Sequence, residues 1–361
     1  MGKVNDKAAQ FSQKMCDILN YGALNTAMGI GYASGAFEAL AACNEPEPSD
    51  VIAERAGLNE RYLYEWLGVM VAGGIVTVQE DENEQERFFL PREYVPFLTS
   101  SGGNSNLGVY MQEIPLLARC SLQEVTDGMQ SGNGISYEKY QPFYSFMEEL
   151  ANAKHEQVLV QKFLPSVADG QIVEQLKRGI HVCDVGCAEG VVVSLMAQAF
   201  PNSTFVGTDI SEKSIARAQE RAEALGLSNV SFRVEDAAGY TIVPAQFDYI
   251  MAFDSIHDQT RPFEALKNIY TMLKPDGLFS MIDIAASSSV AQNAAHPMGA
   301  FLYTVSLMHC MPVGLVDDGM GLGMMWGKEQ AVSLCNVAGF SDVEVLDIPE
   351  DGFNYHYLCR K

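Results

Sequence analysis

The segment FDSIHD, residues 253–258, places an imidazole beside a carboxylate directly after a strand-like run. Imidazole has an ordinary pKa of about 6.5, so at neutral pH it can accept a proton from a reacting group. We therefore expect His257 to be a general base, with Asp258 or another carboxylate orienting its ring. The alternative is that His257 only caps the turn that follows the strand.

Acidic residues also stand where three predicted strands end. Asp184 precedes a loop of small residues, Asp209 closes the next strand, and Glu235 and Asp236 follow the third. Asp209 lies 19 residues beyond Gly190, a spacing typical of a carboxylate that binds the ribose hydroxyls of a nucleotide. The pattern predicts a nucleotide-like ligand at these strand ends.

The loop itself, DVGCAEG at 184–190, has small residues at Gly186, Ala188 and Gly190. Small residues allow the backbone to approach a ligand closely. A dinucleotide-binding loop would have its third glycine at the next position, where this chain has Val191. We therefore expect a cofactor without a pyrophosphate, although the loop alone is also compatible with a simple strand-to-helix turn.

A regular framework must position these residues, and the sequence predicts one from residue 179 onward. Strand-like apolar runs alternate with amphipathic helical patterns, which is typical of an α/β fold with a doubly wound parallel sheet. Ligands bind such sheets at the carboxyl ends of the strands. The predicted strands are 180–186, 204–209, 230–236, 247–256 and 278–284.

The first hundred residues follow a different pattern. Residues 49–74 predict two helices joined by a turn, and residues 75–93 predict two strands joined by the polar ENEQ. Together these elements indicate a winged helix. Its second helix contains Glu60 and Glu65 against the single cation Arg61, whereas a DNA-reading helix needs cationic and amide side chains. We expect a packing or dimerisation role instead.

The composition excludes several classes of partner. A formal net charge of −23 provides no counterion-release energy for binding nucleic acid or an anionic membrane. No run reaches the roughly 18 apolar residues of a membrane span. The eight cysteines form no CxxC pair, which favours reduced thiols. We expect a soluble, cytoplasmic protein without a nucleic-acid or membrane partner.

Taken together, DVGCAEG, GTDIS, VEDA and FDSIHD resemble the successive cofactor motifs of class I S-adenosylmethionine-dependent methyltransferases, with Ala188 where that family most often has glycine. ERAGLNERYLYEWLGVMVAGGIV, LPREYVPFLTS and MHCMPVG resemble the subgroup with an N-terminal winged helix, which includes the plant O-methyltransferases and their bacterial and invertebrate homologues. The resemblance spans residues 20–360. It implies a Rossmann-like sheet that binds S-adenosylmethionine (SAM) and releases S-adenosylhomocysteine.

The resemblance also implies roles for individual residues. Asp184 orders the loop or meets the ammonium group of SAM, Asp209 binds the ribose diol, and Asp236 with Ala237 contacts the adenine edge. The implied catalytic pair is His257 and Asp258. The implied cofactor-binding set is Asp184, Gly186, Ala188, Gly190, Asp209, Ile210, Asp236, Ala237, Phe253 and Asp254.

Two segments are predicted to line the pocket for the methyl acceptor. Residues 136–150 are rich in aromatic side chains, and an insertion at 285–328 is rich in methionine and glycine. Polarizable methionines suit an adaptable lid over an apolar acceptor, and ordinary core packing is the alternative. The predicted pocket residues are Tyr140, Phe146, Met147, Met308, His309 and Met311.

We predict that the methyl group moves to an oxygen or sulfur of a small, fairly apolar molecule by in-line displacement. The leading hypothesis needs no metal. One alternative is a magnesium-dependent O-methyltransferase that uses Asp254, Asp258 and Asp283, and another is a SAM-binding winged-helix regulator without catalysis. A nucleic-acid or protein methyltransferase is disfavoured, because no (D/N)PP(Y/F)-like motif follows the fourth strand.

The predicted organisation has three parts. Residues 1–100 form a winged-helix and dimerisation domain, residues 101–178 a helical connecting region, and residues 179–361 the SAM-binding domain. The resemblance implies a homodimer.

Overall fold

The protein is described from a computed structural model. It describes residues 2–240, 243–349 and 351–361, without the side chains of 2–5, 104, 148, 149 and 151–154. The chain divides into two compact units, Met1–Arg119 and Cys120–Lys361. The domain boundaries that we placed at residues 100 and 178 stay predictions. Among the described helices, none has the length and apolarity to cross a membrane.

The first unit is mainly helical and contains one two-stranded hairpin. Helix α4 buries one face in the core of this unit, and Asn59 caps its start by accepting a hydrogen bond from the Tyr62 amide. Helices α3 and α4 with the hairpin β1–β2 have the helix-turn-helix and wing order that the sequence predicted. The elements are α1 (Gly2–Ala33), α2 (Ala36–Ala41), α3 (Ser49–Ala56), α4 (Glu60–Ala72), β1 (Thr77–Glu80), β2 (Glu86–Phe89) and α5 (Val95–Leu98).

The second unit is built on a seven-stranded sheet in the order β5-β4-β3-β6-β7-β9-β8. The first five of these strands are parallel, and β9 runs antiparallel to both neighbours. This arrangement confirms the predicted doubly wound α/β fold. The strands are β3 (His181–Val185), β4 (Thr204–Asp209), β5 (Val230–Val234), β6 (Phe247–Phe253), β7 (Leu273–Ile284), β8 (Asp342–Ile348) and β9 (Asp351–Arg360).

Helices cover both faces of this sheet, which explains why its central strands are apolar runs rather than alternating ones. One face packs around Met196 and Phe205, and the other around Leu266 and Phe279. The remaining described α-helices of the chain are α6 (Glu113–Ser131), α7 (Gln141–Val158), α8 (Leu164–Ser166), α9 (Gln171–Arg178), α10 (Val191–Ala199), α11 (Glu212–Ala224), α12 (Pro262–Met272), α13 (Val290–Asn293), α14 (Gly299–Val305), α15 (Met311–Gly314) and α16 (Gly327–Ala338).

The C-terminal hairpin β8–β9 was not among the predicted strands. Its outer strand β8 lies at the edge of the sheet, and none of its residues is fully buried. An edge strand of this kind has a weak apolar signal, so the sequence pattern alone did not identify it.

The insertion at 285–328 contains α13, α14, a π-helical turn at Ser306–Cys310, and α15. Several of its glycines stand where the chain packs closely on itself. A Cβ at Gly319 would lie 2.2 Å from the Gly314 carbonyl oxygen, and Gly321 and Gly323 have φ of 57° and 68°. These glycines therefore serve tight turns. Its role as an adaptable lid stays a prediction.

Candidate active site

An acidic residue stands at or just past the carboxyl end of every parallel strand. Because these five strands are neighbours, their carboxyl ends meet along one edge of the sheet. We call these five residues the carboxylate row. In the order β5, β4, β3, β6, β7 they are Asp236, Asp209, Asp184, Asp254 and Asp283.

The loop after β3 alternates in and out of the left-handed backbone region, with φ of 76° at Gly186, 46° at Ala188 and 69° at Gly190. A Cβ at Gly186 would lie 2.5 Å from the Cβ of Ser255, so only glycine fits there. At Ala188 the left-handed conformation costs roughly 1–2 kcal/mol. Asp209 holds this strained residue, because its Oδ2 accepts a hydrogen bond from the Ala188 amide at 2.9 Å.

Asp184 and Asp209, on neighbouring strands, are both buried, and the charge of Asp209 acts on Asp184. Asp184 is 2% exposed, and its Oδ1 is buried without a hydrogen-bond partner among the described residues. Burial, with the charge of Asp209, raises the pKa of Asp184 to about 7. Burial also raises the pKa of Asp209, although the amides of Ser211 and Ala188 oppose the change. A cationic ligand at this edge would stabilise both ionised carboxylates.

The β5 end of the row holds the residues predicted to face adenine. Asp236 Oδ1 accepts a hydrogen bond from the Ala238 amide at 2.9 Å, and its Oδ2 lies 2.5 Å from a guanidinium nitrogen of Arg261. Ala237 is buried, whereas Ile210 is 65% exposed. Both carboxylate oxygens of Asp236 therefore already have a partner within the chain.

The β6 end contains Phe253 and Asp254. The ring of Phe253 packs edge-on against those of His155 and Phe163. Asp254 has φ of 46°, and its carboxylate accepts hydrogen bonds from the Asn354 amide at 3.0 and 3.3 Å. Its oxygens thus lie near those of Asp283 and the ring of His257.

His257 lies between two carboxylates and is 3% exposed. Its Nδ1 is 2.8 Å from Oδ1 of Asp283, and its Nε2 is 3.2 Å from Oδ1 of Asp258. Asp283 is fully buried on β7 and also accepts the amide of Ile284 at 2.8 Å. Because Oδ1 of Asp283 also accepts the Ile284 amide, it acts as an acceptor here and Nδ1–H of His257 donates to it. Asp283 therefore fixes the orientation of the ring.

Burial and the two carboxylates act in opposite directions on this imidazole. Burial lowers the pKa of His257, but Asp283 and Asp258 outweigh it, so the pKa lies well above the ordinary value of 6.5. For Asp258 burial raises the pKa, but His257 and His309 bring it down to about 2. The charged ring of His257 and the ionised carboxylate of Asp258 therefore stabilise one another.

A second histidine, His309, is buried on the π-helical turn among aromatic rings. Its centroid lies 4.9 Å from those of Tyr140 and Phe143, and its Nε2 is 3.0 Å from the Tyr144 hydroxyl. Tyr144 stacks on Tyr137 with centroids 4.8 Å apart. Burial lowers the pKa of His309, so this ring is neutral at pH 7.

Most of the predicted pocket residues fall in or beside this cluster. Tyr140 is buried and donates a hydrogen bond to the Met308 carbonyl at 2.7 Å. Phe146 reaches the cluster through Phe143, at a centroid distance of 6.4 Å. The structure therefore brings Tyr140, Phe146, Met308 and His309 together, while Met147 and Met311 are half-buried nearby in sequence.

The sequence analysis missed several residues of the site. Tyr137 donates a hydrogen bond to Asp258 at 3.3 Å and links the aromatic cluster to the charged pair. Cys310 has its Sγ 3.4 Å from Nδ1 of His309. Asp283 was considered only as a metal ligand, although the strand-end rule that identified Asp184 applies to it equally. No comparable signal marks Tyr137 or Cys310.

The three acids considered for magnesium do not form one set. Ligand atoms of Asp254 and Asp283 converge with His257, whereas those of Asp258 converge with His257 and Cys310. Each group includes a nitrogen, and the second includes a sulfur. Neither is the all-oxygen environment that magnesium prefers.

Two family models match this chain. A model described as a methyltransferase domain matches residues 176–311, and one described as an Rv2258c-like winged HTH domain matches residues 22–100. The first covers the carboxylate row and His257.

The chain is 31% identical over 170 residues to a ubiquinone biosynthesis O-methyltransferase of Coxiella burnetii, across 45% of this chain and 67% of the relative. It is 30% identical over 118 residues to the 27-O-demethylrifamycin SV methyltransferase of Amycolatopsis mediterranei, across 32% and 43% respectively. The chain spans less than half the length of the first curated relatives it matches.

The crystal structure of human N-acetylserotonin methyltransferase in complex with SAM has the same fold, with a TM-score of 0.65, 15% identity and 98% coverage of both chains. Together with the sequence matches, this places the chain in a known class. The protein belongs to the class I SAM-dependent methyltransferases that have an N-terminal winged helix, and SAM is its cofactor.

Proposed function

We propose that this protein transfers the methyl group of SAM to an oxygen or sulfur of a small, fairly apolar molecule, with His257 as the general base. The observation that carries the proposal is the position of His257. It stands at the end of the carboxylate row, with one ring nitrogen held by Asp283 and the other directed toward Asp258.

The cofactor side of the edge fits SAM. When bound, SAM would supply a methyl group attached to a sulfonium sulfur. An oxygen or sulfur nucleophile would attack the methyl carbon in line, and S-adenosylhomocysteine would leave. Asp184 has a buried oxygen without a described partner, which suits an ammonium group, and the bare Gly186 backbone permits close approach. Asp209 retains a lone pair on each oxygen for ribose hydroxyls, since each oxygen accepts one amide. Asp236 and Ala237 would border the adenine.

The chain itself must remove a proton from a neutral acceptor. With Nδ1–H donated to Asp283, the neutral ring presents Nε2 as the proton acceptor. A positioned base of this kind contributes roughly 10²–10⁴-fold to the rate. Because the carboxylates raise the pKa of His257 well above 6.5, the unprotonated form becomes available only as the pH rises through that raised pKa. Asp258 holds the ring from the other side and is the second proposed catalytic residue.

The aromatic cluster of Tyr137, Tyr140, Phe143, Tyr144 and His309 supports an apolar acceptor. Tyr137 contacts both Tyr144 and Asp258, so the cluster adjoins the proposed base. Its hydroxyls and neutral imidazole would orient a polar group on an otherwise apolar molecule.

Homodimerisation is part of the proposal and is supported by helix α1. Phe11, Met15, Ile18 and Leu19 are 62%, 43%, 51% and 71% exposed within this chain, at spacings that place them on one helical face. An exposed apolar surface of this kind is typical of a protein–protein interface, because association buries it. A Leu19→Glu substitution should shift the mass in analytical ultracentrifugation from dimer to monomer.

The test of catalysis combines a screen of phenols, alcohols, thiols and amines with His257→Ala. We expect at least one oxygen or sulfur acceptor to be methylated, and turnover to fall roughly 10³-fold in the variant, with SAM affinity unchanged by calorimetry. The matched control is His181→Ala, which removes an exposed histidine at the opposite end of β3. Unchanged turnover of an alcohol or phenol by His257→Ala would remove the base assignment.

A further inference from the structure

A nitrogen, an oxygen and a sulfur converge beside the proposed base. One ligand atom from each of His257, Asp258 and Cys310 lies within 4.8 Å of the other two. The distance from His257 Nε2 to Asp258 Oδ1 is 3.2 Å. Two ligands of a tetrahedral zinc ion with bonds of about 2.0–2.1 Å stand about 3.3 Å apart. Nitrogen and oxygen therefore already have the spacing of two zinc ligands, and the sulfur lies within 4.8 Å of both.

The hydrogen bonds show which positive charge a metal ion would replace at this convergence. Because Nδ1–H of His257 donates to Asp283, a neutral ring turns a lone pair toward Asp258. Oδ1 of Asp258 is buried and lies 3.2 Å from Nε2 of His257, while its Oδ2 accepts a hydrogen bond from the Tyr137 hydroxyl. Two acceptors thus face each other, and either a proton or a metal ion must stand between them.

Two of the three ligands, His257 and Cys310, each contact a further residue that can orient them. Asp283 holds the far nitrogen of His257 at 2.8 Å. On the other side, Nε2 of neutral His309 lies 3.0 Å from the Tyr144 hydroxyl and Nδ1 lies 3.4 Å from Cys310 Sγ. In the tautomer in which the hydroxyl donates to Nε2, the ring proton is on Nδ1 and faces the sulfur. A carboxylate behind a ligating histidine and a donor beside a thiolate are the contacts that orient metal ligands in proteins.

The chemistry of the three donors selects the metal. Imidazole and thiolate favour zinc, whereas magnesium and calcium prefer oxygen ligands only. Burial, with the charge of Asp258, raises the pKa of the Cys310 thiol to about 12, so this thiol ionises only beside a cation. In the neighbouring group, Asp283 is already engaged by Nδ1 and Asp254 by Asn354.

We propose that His257 Nε2, Asp258 Oδ1 and Cys310 Sγ form a binding site for Zn²⁺ with a fourth position left open. The Cys310 thiol and the charged His257 ring each release one proton to solvent as the metal binds, so that Sγ and Nε2 both offer a lone pair. One consequence rests on the function proposed above: zinc on Nε2 removes the lone pair that the base requires, so bound zinc inhibits methyl transfer to a neutral acceptor.

The test uses Co²⁺, whose spectrum reports the ligands directly, on the full chain without SAM. We expect one Co²⁺ per chain and a thiolate-to-cobalt charge-transfer band that Zn²⁺ displaces. Cys310→Ser should abolish the band, and Asp283→Asn should weaken binding about 10–100-fold by loosening the ring of His257. The matched control is Cys16→Ser, which removes the exposed cysteine and should leave both the band and the affinity unchanged.

Several outcomes would overturn the site. These are the absence of a charge-transfer band, its survival in Cys310→Ser, or its loss in Cys16→Ser. Circular dichroism of Cys310→Ser must match that of the parent. If it does not, Asp258→Asn replaces it and should weaken cobalt at least tenfold, and unchanged affinity would again overturn the site. Turnover is measured separately with chelator and with stoichiometric zinc. Zinc that binds through Cys310 without slowing turnover leaves the site standing and contradicts the base assignment to His257.

Discussion

His257 and His309 are buried to nearly the same degree, 3% and 6% exposed, yet their surroundings differ completely. His257 lies between Asp258 and Asp283, and its pKa rises. His309 lies among aromatic rings with a tyrosine hydroxyl as its partner, and its pKa falls. Burial alone therefore does not set the charge of a histidine, and the presence of neighbouring carboxylates does.

The backbone distinguishes the same two sides. On the charged side, Gly186, Ala188, Gly190 and Asp254 have positive φ. On the aromatic side, described residues 136–146 and 306–311 include no positive φ. Left-handed residues are frequent where a backbone must approach a ligand. The charged side is thus formed for close backbone contact, and the aromatic side by side-chain packing.

The largest effect is expected from removing the charge that distinguishes His257. Asp283→Asn keeps the shape but lowers the pKa of His257, so the rising limb of kcat should move to lower pH. The change in ring orientation should reduce kcat on the order of 100-fold. A pH–rate profile measures both, with Asp276→Asn, which changes an exposed aspartate near the start of β7, as the control. If the rising limb of kcat stays at the same pH in Asp283→Asn, a group other than His257 controls the pH dependence.

A smaller effect is expected on the aromatic side. His309→Gln retains hydrogen-bonding capacity but loses the ring contacts with Tyr140 and Phe143. We expect KM for the acceptor to rise about fivefold, equivalent to about 1 kcal/mol, with kcat nearly unchanged. Steady-state kinetics separates the two parameters. A fall in kcat as large as that of Asp283→Asn would contradict the division of roles between the histidines.

Tyr144→Phe tests the hydroxyl group that pairs with His309, through its effect on stability and not on KM. It removes the hydroxyl 3.0 Å from Nε2 and leaves a buried acceptor unsatisfied, at a cost of about 1–3 kcal/mol. Thermal unfolding should show the loss, whereas the pH dependence of kcat should stay in place. A shift of the pH limb would show that the two histidines titrate together.

The smallest effect concerns backbone strain on the charged side. Ala188→Gly relieves a left-handed alanine at φ 46°, partly offset by the greater entropy of glycine in the unfolded chain, for a net gain of up to about 1 kcal/mol. Urea unfolding measures it, and Ala199→Gly at the end of helix α10 is the control, expected to destabilise. If Ala188→Gly also lowers the free energy of unfolding, the left-handed conformation of Ala188 does not destabilise the protein.

Much of this arrangement could be predicted from the sequence because it depends on local pattern. The parallel strands and the acids at their ends follow from apolar runs and the rule that ligands bind at carboxyl ends. The partner of His257 could not be predicted in the same way, because Asp283 reaches it only once β7 has paired with β6. Cys310 and Tyr137 come from separate helical segments, and their meeting at Asp258 depends on packing that no short pattern encodes.

The five-residue row at the carboxyl edge also has a consequence for which molecules reach the site at all. Its carboxylates outnumber the cations beside them, Arg261 and the ring of His257, so the edge creates a negative field that extends about 10 Å at 0.1 M salt. Acceptors that carry a phosphate or a carboxylate would be repelled before they reach the pocket, whereas neutral or cationic acceptors would not be repelled. Selection by charge would then weaken as ionic strength rises, so raising the salt concentration should relax the preference between two acceptors that differ only in charge.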